Sequence, residues 1–146
     1  MRKPLAFFIA AALLSSCQTA DDALTTSSTP VAVTGPAASA IAGDMASRLA
    51  EQIGPAGSTT TIRMDKDASE FAVALEAALK GWGYTVITGG KVAKDLKPVE
   101  LAYAIEGFGG QVLVQVSTPS IALGRAYTPT EAGATPASPL SIMQRN

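Results

Sequence analysis

The residue with the clearest reactive chemistry in this 146-residue chain is Cys17, the only cysteine it contains. With no second thiol an internal disulfide is impossible, so in an oxidising compartment Cys17 needs an outside partner or a covalent modification. The chain also has no histidine. That removes imidazole acid–base chemistry, Ser-His-Asp catalysis and nearly every zinc site. Four carboxylates, Asp65, Asp67, Glu100 and Glu106, are candidates for an acid and base pair of the glycosidase kind. Glu100 and Glu106 fall on the solvent side of a predicted strand, however, and Asp67 is better explained as a helix cap. Gly54 to Thr60 and Gly89-Gly90-Lys91 have the glycines of a phosphate loop but not the Gly-x4-Gly-Lys-Ser/Thr order between strand and helix, so they read as turns. Trp82 and Tyr103 could form a ligand platform, but their helix and strand spacing points to the core. The chain therefore reads as a non-enzyme with no catalytic residue, no metal site and no cofactor.

The segment that delivers Cys17 explains its chemistry. Arg2 and Lys3 precede an apolar run from Pro4 to Leu14, and Ser15 and Ser16 follow it. A basic start, a short apolar stretch and small residues at its end form the plan of a cleavable secretory signal, here residues 1–16. The run is too short for a spanning helix, which needs about 20 apolar residues. Leu14-Ser15-Ser16-Cys17 resembles the lipobox of bacterial lipoproteins. The resemblance implies that Cys17 takes a diacylglyceryl thioether, that cleavage occurs before it, and that its freed amine is acylated, for example with palmitate. Several acyl chains anchor stably, since each buried CH₂ contributes about 0.8 kcal/mol. Gln18, not Asp, follows the cysteine, which by the same resemblance implies the periplasmic face of the outer membrane.

Once the signal is removed, nine basic residues stand against twelve acidic ones, with no basic run. This argues against direct nucleic-acid binding. Residues 17–38 are rich in Thr, Ser and Ala and read as a flexible tether, whose twenty-one residues after Cys17 have a coil reach of roughly 25 Å. Within the tether, Pro30, Val31 and Val33 are the candidate partner-binding residues, because alternating β-branched side chains suit addition to the edge of another protein's sheet.

The remaining segments predict a folded domain over 39–127. Ser39 is placed to cap a helix in which Ile41, Met45, Leu49 and Ile53 recur every four residues, and Gly54-Pro55 ends it. Ser58 to Met64 suits a strand. Asp67 and Glu70 have the form of a capping box for a second helix from about Ala68 to Lys80, with Phe71, Leu75, Ala78, Leu79 and Trp82 on one stripe. Tyr84 to Thr88 predicts a strand. Val99, Leu101, Tyr103 and Ile105 alternate with polar or small residues, Gly107 to Gly110 turns the chain, and Val112, Val114 and Val116 return it as a hairpin. Ile121, Leu123 and Tyr127 suit a further strand, and Pro119 before it favours a sheet edge. The fold class is α+β, with two helices packed on a small, mainly antiparallel sheet of four to five strands. Residues 128–146, with three prolines and little periodicity, read as a flexible tail in which Leu140, Ile142 and Met143 are placed to dock on a partner.

The chain is similar to the TrbH family of conjugal transfer lipoproteins over nearly its whole length. The likeness is carried by the lipobox, Asp44-Met45-Ala46-Ser47-Arg48-Leu49, Ala74-Leu75-Glu76-Ala77-Ala78-Leu79-Lys80-Gly81-Trp82-Gly83-Tyr84 and Ile121-Ala122-Leu123-Gly124-Arg125-Ala126-Tyr127. These stretches are helix stripe, glycine cap and strand, so their order is the signature and no catalytic residue comes with them. The resemblance implies a structural outer-membrane component of a type IV secretion channel, held by its lipid and partnered with the larger channel subunits for plasmid DNA transfer. The alternative is a periplasmic lipoprotein that binds a small ligand or the cell wall.

Overall fold

A computed structural model describes residues 29–54 and 60–146. The elements run β1 (Thr29–Pro30), α1 (Gly35–Ile53), β2 (Thr61–Met64), α2 (Glu70–Gly81), β3 (Thr85–Thr88), β4 (Val99–Phe108), β5 (Gln111–Ser117), β6 (Ile121–Thr130), β7 (Gly133–Pro136) and β8 (Ser141–Gln144). The fold is α+β with two helices, as the periodicity predicts.

Helix α1 buries Ile41, Met45 and Leu49 together with the alanines between them, and ends where Gly54 takes φ +87° and donates its N–H to the Ala50 carbonyl. It begins four residues before Ser39, because Pro36 in the first turn has its φ preset and lacks only an N–H that would have no helical partner. In α2, Phe71, Leu75 and Leu79 are buried, and Ser69 is the cap, its Oγ accepting the Ala72 N–H at 3.2 Å. The Asp67 capping box and the helix start at Ala68 are thereby corrected. Trp82 is corrected too: it is the C-cap residue and is half exposed, because the helix ends before the stripe reaches it.

All eight strands join one mixed sheet whose main path is β3-β2-β4-β5-β6-β7, with β1 on the edge of β4 and β8 on the edge of β6. Strand β2 pairs in parallel with both β3 and β4. Parallel neighbours need a crossover, and α2 supplies it between β2 and β3. The rest of the sheet is antiparallel, including the expected hairpin from β4 to β5. One face carries Leu101, Val112, Val114, Val116, Leu123 and Tyr127 against the two helices. Strand β6 lies in the interior of the sheet, since Pro119 falls in the turn before it and does not mark an edge.

Two boundaries also change. The expected tail 128–146 completes β6 and forms β7 and β8, both paired with β6. Gly133 of β7 lies against α1, where a Cβ would stand 3.5 Å from that of Ala40. The expected tether 17–38 overlaps β1 and the first turn of α1.

Candidate functional site

Two polar clusters tie the helices to the sheet. In the first, Asp44 projects from α1 onto β6. Its Oδ2 accepts the Tyr127 hydroxyl at 2.7 Å and Arg125 Nη1 at 3.0 Å. Arg48, one turn on, places Nε 3.5 Å from Asp44 Oδ1 and bonds Glu51 through Nη1 at 3.1 Å. Arg125 Nε also donates to the Ser138 carbonyl at 3.0 Å, so the same guanidinium holds the segment between β7 and β8. Tyr127 is buried, and burial first, then its bond to Asp44, pushes its phenol well above the usual range. Two acids and two bases here neutralise one another around a buried hydroxyl, which makes the cluster a joint with no free acid or base.

The second cluster sits at the start of α2. Tyr103 on β4 donates its hydroxyl to Asp67 Oδ2, and Asp67 Oδ1 accepts the Ser69 N–H at 2.9 Å. Ser69 Oγ lies 3.1 Å from the Tyr103 hydroxyl. The Tyr103 and Ser69 bonds hold the Asp67 carboxyl below its ordinary range. Burial and Asp67 raise the Tyr103 phenol. The Tyr103 ring also packs on Phe71, with centroids 5.0 Å apart and planes tilted by 57°. Ser69 Oγ also donates to Asp67 Oδ2 at 3.1 Å, but that carboxyl is held below its ordinary range and is a weak base, and the Ser69 hydroxyl serves as the helix cap.

The candidate carboxylates do not converge. Asp67 belongs to this second cluster, Glu100 bonds Arg63 at 3.2 Å on the solvent face of the sheet, and Glu106 stands opposite Pro30. Asp65 and Glu100 share an open concavity of about 300 Å³ with Arg145, which is a surface depression and not an enclosed pocket. Among the described residues no group of three or more His, Cys, Asp or Glu is arranged to hold a metal ion, and no helix is long and apolar enough to cross a membrane.

Of the sequence-predicted site residues, Cys17 and the signal 1–16 lie outside the described residues. The partner-binding segment is partly described. Thr29 and Pro30 pair with Gly107 and Glu106 of β4, and the Val31 N–H reaches the Ile105 carbonyl at 3.4 Å. The chain thus adds this segment to its own sheet, on the stretch of β4 edge that β2 leaves uncovered. Val31 stays 36% exposed, whereas Val33 is 6% exposed and part of the core. Val33 is therefore a packing residue of this domain and is not free to fill a partner's pocket. The ion joint was missed at the sequence level: Asp44 and Arg48 show only a helical spacing, and nothing in the chain points from them to Arg125 and Tyr127 some eighty residues later.

Known proteins bear on this arrangement. The family described as "Conjugal transfer protein TrbH" matches residues 19–146. A protein of Sinorhizobium fredii strain NBRC 101917 / NGR234, described as "Probable conjugal transfer protein TrbH", is 72% identical over 149 aligned residues that span all of both chains. No solved structure matches the chain. Asp44 and Arg48 lie in one of the stretches that carry the likeness to this family and Arg125 and Tyr127 in another, and the fold brings the two stretches together.

Proposed function

The chain belongs to the TrbH family of conjugal transfer proteins, and on that premise we propose that it is a lipid-anchored structural subunit of the conjugative channel at the outer membrane. The observation that carries this reading is the order of the parts: a lipobox cysteine, a short connecting segment, and a domain whose polar clusters are used up in holding helices to sheet. Such a molecule acts by position and by surface. The lipid fixes it to the periplasmic face of the membrane, where several acyl chains give lasting attachment, and the domain stabilises the larger channel subunit.

Docking of that subunit uses β1. One edge of β1 is taken by β4, and its other edge has no strand among the described residues. A partner strand added there gains main-chain hydrogen bonds and meets the exposed Val31 side chain, while Val33 stays in the core.

Cys17→Ser tests the anchor. Expected are loss of radioactive palmitate labelling, release of the protein from the membrane fraction and a fall in plasmid transfer, with the domain still folded. Palmitate retained by the mutant removes the lipoprotein reading.

A further inference from the structure

The pairing of β1 brings the chain that follows Cys17 into the sheet at one end of the domain. Only twelve chain steps separate Cys17 from Thr29, against the twenty-one residues of tether that composition suggests. Fully extended they span at most about 40 Å. Thr29 stands opposite Gly107, one residue from Phe108 at the end of β4. Gly109 and Gly110, at φ +52° and +77°, then close the turn into β5. The β6–β7 turn lies at this same end, because Val112 pairs with Tyr127 and Thr130 with Gly133. Phe108 is 43% exposed there. Residues 29–36, 107–111 and 128–133 contain no lysine or arginine, and the carboxylates among and beside them are Glu131, Glu106 opposite Pro30, and Glu70, which accepts the Gly35 N–H. Trp82, 51% exposed, occupies the opposite end: it precedes β3, which starts opposite Thr61, next to the Ile62 that pairs with Val99. Eight residue steps along β4, roughly 26 Å of strand, separate Val99 from Gly107.

We propose that the β4–β5 tip is a second membrane contact, with Phe108 entering the headgroup region of the leaflet that holds Cys17 and the Trp82 end turned away from it. The proposal rests on lipid attachment at Cys17. A lone phenylalanine binds a bilayer weakly, but a short tether makes the contact intramolecular and raises its effective concentration to about the millimolar range. An aromatic ring suits the interfacial layer. With no cation at the tip, the contact needs no anionic lipid and is not weakened by salt.

Trp82 is the only tryptophan, which gives a direct test. Full-length lipidated protein is purified from membranes and reconstituted into phosphatidylethanolamine–phosphatidylglycerol vesicles containing lipids brominated on the acyl chain. Wild type, reporting from Trp82, should keep its fluorescence. Trp82→Phe combined with Phe108→Trp should lose most of its emission, and high salt should not restore it. The mass of Cys17 is read on the same samples. Lipid present on Cys17 with an unquenched tryptophan at 108 overturns the tip contact alone and leaves that surface to a protein partner. A Cys17 that carries no lipid removes the anchor reading and this proposal with it.

Discussion

Replacing Asp44 with alanine is the sharpest test of how helix and sheet are held together. The substitution removes the acceptor of the Tyr127 hydroxyl at 2.7 Å and of Arg125 Nη1 at 3.0 Å. Tyr127 is 1% exposed and its hydroxyl has no other partner among the described residues, so it is left unsatisfied at a cost of about 1 to 3 kcal/mol. A charge-assisted bond to arginine is worth about 1.5 to 3 kcal/mol, but the Asp44 and Arg125 side chains are 25% and 17% exposed, so water recovers part of that. The expected loss is therefore about 2 to 3 kcal/mol. For a domain of this size it lowers the melting temperature by roughly 10 to 20 °C. Tyr127→Phe removes one bond while Asp44 keeps Arg125, and should cost about 1 kcal/mol. In urea unfolding, the two mutations should then fail to add by about 1 kcal/mol, the sign of a direct interaction. A loss below about 0.5 kcal/mol for Asp44→Ala, or strict additivity, refutes the joint.

Leu75, fully buried on α2, should lose about 2 to 5 kcal/mol on truncation to alanine, whereas Trp82→Ala should stay within about 1 kcal/mol because that ring is half exposed. Equal melting curves for the two variants reverse the assigned helix face. The Asp67 carboxyl is held below its ordinary value of 3.8, first by Tyr103 and then by the Ser69 N–H. Its contribution is thus fully present above pH about 4 and is lost as the pH falls through the lowered value. Tyr103→Phe should flatten that acid limb in a pH series of thermal melts and leave the neutral-pH cluster at Asp44 untouched. Val31→Asp should abolish co-purification with the channel subunit without unfolding the domain, and a mutant that still co-purifies at wild-type levels moves docking away from β1.

Much of the fold was legible because the informative residues are local. The four-residue spacing of Ile41, Met45 and Leu49, the stripe from Phe71 to Leu79 and the alternating valines of β5 are each set by one element's own period. What escaped depends on distant partners. Alternation in β4 says which face is buried but not that β2 runs parallel to its first three residues. Strands β7 and β8, four residues each with prolines nearby, have no period to detect and form because β6 offers them an edge. Thr29–Val33 has the composition of a tether, and the uncovered part of the β4 edge makes Thr29–Pro30 a strand. Of the two valines in this stretch, Val33 packs into this chain's own core and Val31 stays exposed.

The same distinction decides what the likeness to the TrbH family means physically. The Asp44–Leu49 and Ile121–Tyr127 stretches look like ordinary helix and strand in the sequence, and neither suggests chemistry. In the fold they meet, and their polar members neutralise one another around the buried Tyr127 hydroxyl. A site that binds substrate or shuttles a proton needs a group poised to change its charge, whereas here Asp44 is paired with Arg125 across the helix–sheet boundary and with Arg48 along α1, and Arg48 in turn with Glu51. Removing Asp44 should accordingly weaken plasmid transfer only as far as it weakens the fold, while Cys17→Ser and Val31→Asp should lower transfer with the melting curve unchanged.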